Sequence, residues 1–266
     1  MTSVRHAAVA GRFYPANPLE LRAMIDRFLR EATPSETAPK AVIAPHAGYV
    51  YSGPIAASAY AELAGDHDRI TRVVLLGPSH RVPFEGLAAS SADAFETPLG
   101  VVPIDTDAVA SIASLPQVRV YDRAHDFEHS LEVHVPFLQE ILGNFKLVPL
   151  AVGSATPREV GEVLDALWGG PETRIVISSD LSHYHDYQTA MQLDRDTSRA
   201  IEELRPEDIQ YDHACGRNPI NGLLWVARKR GLRAETIDLR NSGDTAGPRD
   251  RVVGYGSFAF HARTPA

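Results

Sequence analysis

Three apolar runs in this chain lead straight into a histidine: AVIAPHAGYVYSG carries His46, VVLLGPSH carries His80, and RIVISSDLSHYH carries Asp180, His183 and His185. In an open α/β sheet, ligands bind outside the carboxyl ends of the strands, so if these strands are parallel neighbours their imidazoles meet in one cleft. Convergent imidazoles are the commonest protein donors to a transition metal. Each histidine taken alone also fits an ordinary loop position.

A fourth segment, AHDFEHSLEVHVPFLQEIL, holds His125, His129, Glu132 and His134, with Asp126 and Glu128 among them. A helix starting near His129 would put His129 and Glu132 three apart on one face and aim His134 elsewhere. Pro136 must then lie in the first turn or kink the helix. This face reads either as a histidine and a carboxylate reaching the same cleft or as a solvated charged surface. Cys215, in YDHACGRNPINGLLWVARKRG, directly precedes a segment expected to be helical from Pro219. A thiol at a helix N-terminus has its pKa lowered, and the thiolate is a strong metal ligand; the alternative is a buried, inert cysteine. His6, His67 and His261 are expected at the surface, and Tyr49 and Tyr51 at the cleft entrance or in packing.

The elements that must position these groups follow from periodicity. Strands are expected at 41–44, 73–76, 146–152, 174–178, 235–239 and 252–260, the last antiparallel or edge-like because it alternates and carries glycines. Helices are expected at 18–31, opened by Asn17 with Pro18 in the first position, and at 55–63, 106–114, 157–167, 190–203 and 219–229. Residues 31–40 read as an exposed loop. The pattern is α/β, a central mostly parallel or mixed sheet flanked by helices, in one domain over 1–266. A chain of 266 residues with 44% hydrophobic and 23% charged residues closes its core without a structural metal. The net charge of −8 argues against nucleic acid as a partner. One cysteine and no long apolar run point to a cytoplasmic chain without membrane spans. The oligomeric state is not legible.

The segments IAPHAGYVYSG, LGPSH, EHSLEVHVPF, SSDLSHY and CGRNPI, in this order, resemble the Memo family, named for a mediator of ErbB2-driven cell motility. The family in turn is similar to class III extradiol dioxygenases of the LigB type, which implies their fold. The resemblance runs from GRFYP to VGYGSFAF and implies metal ligands at His46, His80 and Cys215. It places His183, with Asp180 beside it, where the dioxygenases keep a catalytic histidine, and puts His129, Glu132 and His134 in the pocket. A thiol stands here in place of the dioxygenase carboxylate. It softens the site toward copper or zinc and exposes it to oxidation. The expectation is a mononuclear redox enzyme using Fe(II), or copper, with O2 on a small oxygen-bearing molecule. His183 is its base, with Asp180 and Glu132 orienting imidazoles. A peptide-binding module and a zinc hydrolase are the rival readings.

Overall fold

The apolar runs of the sequence assemble into the middle of one mixed sheet. The computed structural model describes residues 3–35 and 37–262. In chain order its strands are β1 (Val4–Arg5), β2 (Ala41–Ala44), β3 (Arg72–Pro78), β4 (Leu87–Ala89), β5 (Ala94–Thr97) and β6 (Gly100–Pro103). They continue with β7 (Val118–Val120), β8 (Lys146–Val152), β9 (Thr173–Ser178), β10 (His183–His185), β11 (Leu232–Asn241) and β12 (Val252–Ala262). The α-helices are α1 (Pro18–Glu31), α2 (Tyr49–Ala61), α3 (Thr106–Ile112), α4 (His129–Glu132), α5 (Val135–Leu142), α6 (Pro157–Ala166), α7 (Tyr187–Glu202) and α8 (Arg217–Arg230).

The large sheet runs β10-β12-β2-β9-β3-β8-β4-β7, with β11 paired to β12. Its centre, β2-β9-β3-β8, is parallel. Strands β4 and β12 flank it antiparallel, so the sheet is mixed. Parallel strands are covered on both faces and need near-continuous apolar sequence, which AVIA, VVLL and RIVI supply. Alternate residues feed opposite cores. Val42, Ala44, Val73 and Leu75 pack with Leu21, Ile25 and Tyr60 on one side. Ile43, Val74, Leu76 and Ile177 pack with Val160, Leu164 and Leu223 on the other. A second, three-stranded sheet, β1-β5-β6, is built from strands too short to read from periodicity.

Helix α1 forms as its sequence dictates. Asn17 Oδ1 accepts from the N–H groups of Leu19 and Glu20 at 2.9 and 3.2 Å, and Leu21, Ile25 and Phe28 form its buried stripe. Elsewhere the boundaries move. Helix α2 begins at Tyr49, not Ile55, and carries Pro54 within it; α7 and α8 begin at Tyr187 and Arg217. The helix expected from His129 is broken into α4 and α5, with Pro136 in the first turn of α5. Strand β12 is antiparallel but not an edge, because β11 covers it on one side and β2 pairs on the other. That interior position buries His261, contrary to expectation; His6 and His67 are exposed. Of the loop expected over 31–40, Glu31 closes α1 and Glu36 lies outside the described residues, as do residues 1–2 and 263–266. Among the described residues no helix is long and apolar enough to cross a membrane.

Candidate metal centre

Strand β9 lies between β2 and β3, with Ala44 paired to Ser178 and Leu76 to Ile177. The loops carrying His46, His80 and Asp180 therefore leave the sheet side by side. Cys215 arrives from the loop before α8, where its N–H donates to the Asp180 carbonyl at 3.3 Å. Gly216 makes that approach possible: a Cβ there would stand 2.5 Å from both the Ser178 carbonyl oxygen and Ser179 Cβ. As a result one donor atom each of His46, His80 and Cys215 lies within 4.8 Å of the others. They sit in a cleft of about 640 Å³ that Phe13, His129, Asp180, His183 and His185 also line.

The hydrogen bonds decide which imidazole nitrogens are free. The Ser178 hydroxyl donates to the Ser130 carbonyl at 2.5 Å, so at 2.6 Å from His46 it accepts the Nδ1 proton. That leaves His46 Nε2 bare, 3.3 Å from Cys215 Sγ. Glu128 accepts from the His80 backbone N–H at 2.6 Å and from its Nδ1–H at 2.9 Å. His183 Nδ1–H donates to the Leu181 carbonyl at 2.7 Å. All three histidines thus hold their proton on Nδ1 and present a lone pair at Nε2, the arrangement that partners behind a ligand impose on metal-binding imidazoles.

The donor set fits a transition ion. Tetrahedral bonds of about 2.0 Å to nitrogen and 2.3 Å to sulfur separate the two donors by about 3.5 Å, close to the 3.3 Å between His46 and Cys215. Burial, together with the repulsion that His80, His129, His134 and His183 would exert on a second charge, holds His46 well below its ordinary pKa and keeps it neutral. Cys215 departs from expectation: burial and the Asp180 charge push its thiol up. Burial of the side chain, with the Asp180 charge beside it, outweighs the start of α8. Without an ion the side chain is a thiol, and binding must displace its proton. His80, Glu128 and His129 form a second possible donor group. Glu128 is committed to His80 and to the Ser130 N–H, at 3.0 Å, so it serves His80 rather than an ion.

Asp180 is buried, and burial raises its carboxyl; Oδ1 accepts the His46 N–H at 2.7 Å, fixing the loop. His129 stacks on His80 with ring centres 4.8 Å apart, and burial lowers it to about 4. Glu132 is not in the cleft. Its oxygens accept from the N–H groups of Ala8 and Val9, from Tyr14 Oη and from Arg5, so it anchors the N-terminal segment instead of orienting an imidazole. His134 is likewise turned into the core, with Nδ1 2.7 Å from Tyr60 Oη. Tyr49 is buried and donates to the Val133 carbonyl at 2.6 Å, while Tyr51 is exposed. Glu128, named in the sequence only as one acid of this segment, gains its role from its place immediately before a short helix, where it caps Ser130.

A mixed sheet flanked by helices, with two imidazoles and a thiol gathered at the carboxyl ends of its central strands, defines the class. The Memo-like protein family model matches residues 5–259. MEMO1 family proteins of Sulfolobus acidocaldarius and Aquifex aeolicus are 33% and 36% identical to it, each over 97% of this chain and 99% of the relative. The chain belongs to the Memo-like family. An uncharacterized protein of Escherichia coli K12 shares the fold at 16% identity and a TM-score of 0.50, covering 81% of this chain and 98% of that one.

Proposed function

We propose that this protein is a mononuclear metal-dependent oxidoreductase that uses Fe(II), or copper in its place, to act with O2 on a small oxygen-bearing molecule. The observation that carries the reading is the convergence of one donor atom each of His46, His80 and Cys215, with both imidazoles tied back through Nδ1. When bound, the ion supplies a Lewis acid and, as iron or copper, an electron couple. The chain supplies the rest. Glu128 and Ser178 hold the two imidazoles in ligating orientation. His183 Nε2, bare and on the cleft wall, takes a proton from a substrate hydroxyl, and Asp180 fixes the loop that carries it. A cleft of about 640 Å³ is the size that encloses a small molecule, which favours this reading over a peptide-binding module.

The test is purification under anaerobic conditions, elemental analysis, and O2 uptake with a panel of catechols and other small phenols. One iron or copper per chain with substrate-dependent uptake is expected. Stoichiometric zinc with hydrolysis and no uptake would replace the proposal with zinc-water chemistry, and a tightly held peptide without turnover would replace it with a binding role.

A further inference from the structure

A second cavity, of about 380 Å³, lies between α7 and β11, away from the cleft. Asp194 lines it and is only 3% exposed. Its Oδ1 accepts the Ser182 N–H at 3.0 Å. Among the described residues no lysine, arginine or histidine forms an ion pair with the carboxylate, whose neighbours include the Ser182 hydroxyl. The carboxylate itself packs against Gly254 of β12, where a Cβ would lie 2.0 Å from Oδ2. A buried carboxylate without a counter-ion is expensive, and burial accordingly pushes Asp194 up to about 6.

The other charges of the cavity are already matched, with one exception. Asp244 accepts from Tyr187 Oη at 2.6 Å and from the Asn241 N–H at 3.0 Å, with Arg249 at 3.8 Å. Arg240 holds Asp238 at 2.5 and 2.9 Å. Arg195 is exposed at the mouth and has no acidic partner among the described residues. Met191 and Leu239 give the wall apolar surface. An unmatched anion in the depth, an unmatched cation at the mouth and an apolar wall together describe the complement of one kind of molecule.

We propose that this cavity binds a small amino-acid-like zwitterion, its ammonium on Asp194 and its carboxylate toward Arg195. The site requires no metal, and its fate is independent of the function proposed for the cleft.

The experiment is a nitrogen-15 NMR titration of the protein as purified, with 4-aminobutyrate, butylammonium and butyrate as probes. Shifts confined to residues around Tyr187–Arg195 and Leu239–Asp244 are expected for 4-aminobutyrate, weaker ones for butylammonium, and none for butyrate. Asp194→Asn should weaken both ammonium probes about tenfold or more, the loss of one buried charged hydrogen bond. Arg195→Gln should bring 4-aminobutyrate down to the level of butylammonium. Met191→Trp fills the cavity without touching the carboxylate and should abolish binding even if Asp194→Asn does not fold. Binding of butyrate as tight as that of 4-aminobutyrate, shifts at the metal cleft alone, affinity indifferent to Met191→Trp, or no shifts with any probe would each overturn the proposal.

Discussion

Glu128 accepts two hydrogen bonds from a single residue, the backbone N–H of His80 at 2.6 Å and its ring Nδ1–H at 2.9 Å. Burial opposes its charge, yet these bonds and the Ser130 N–H hold the carboxyl at about 2. The carboxylate therefore stays an acceptor for the His80 Nδ1 proton at any working pH. Glu128→Gln should weaken metal affinity by roughly 10- to 100-fold, the usual effect of losing such a support, while the fold survives. Competition against a chromophoric chelator measures it; unchanged affinity would show that His80 needs no orientation or is not a ligand.

His183 presents a bare Nε2 but stands outside the group of converging donors. His183→Ala should keep a full complement of metal and lose activity by about a hundredfold or more. Metal analysis and turnover on the same preparation separate the two roles. Loss of metal would make His183 a ligand.

Glu132 lies beyond the cleft, with Arg5 as its buried ion-pair partner. Glu132→Ala strands that guanidinium and should destabilise the fold by about 3–5 kcal/mol without changing metal stoichiometry in the molecules that remain folded. Urea denaturation reads the first and elemental analysis the second.

Much of the site was legible because a parallel strand buried on both faces advertises itself as an apolar run, and His46 and His80 stand directly beyond such runs. The contrast between Glu128 and Glu132 shows where that reasoning ends. Spacing put Glu132 on the face of His129, but α4 stops after four residues and the chain turns before helical geometry can govern where its side chains point. The first turn of α2 was hidden for a related reason. Gly and Pro ordinarily disfavour a helix interior, yet with Gly53 and Pro54 inside α2 the packing of Tyr49 against Tyr14 and Phe137 accompanies an unbroken helix. The start of α8 is visible in sequence, whereas the burial of Cys215 and the neighbouring Asp180 charge, which together raise its thiol, are not.

Stability should fall on acidification above the range in which exposed carboxylates titrate. Burial lowers His125 to about 4 and His134 to about 3, against about 6.5 unfolded. Their contribution is complete above 6.5 and is lost as pH drops toward the folded values. From pH 7 to pH 5 the two remove about 4 kcal/mol. Asp194, raised to about 6, takes up its proton in the folded state over the same interval and restores about 1 kcal/mol. These three groups alone leave a net decrease of about 3 kcal/mol in unfolding free energy, and His129, lowered to about 4, and His46, lowered well below its ordinary value, add to it; denaturant titrations at the two pH values measure the decrease, and constant stability would mean that these imidazoles are solvated in the native protein.

The central claim is that His46, His80 and Cys215 hold one ion, and X-ray absorption of the anaerobically iron-loaded protein tests it most directly. The expected spectrum contains one sulfur scatterer and, at shorter distance, imidazole nitrogens, with the sulfur absent in Cys215→Ala and one imidazole fewer in His80→Ala. A wild-type spectrum without sulfur, or one that Cys215→Ala leaves unchanged, would contradict the account and place the ion on other donors.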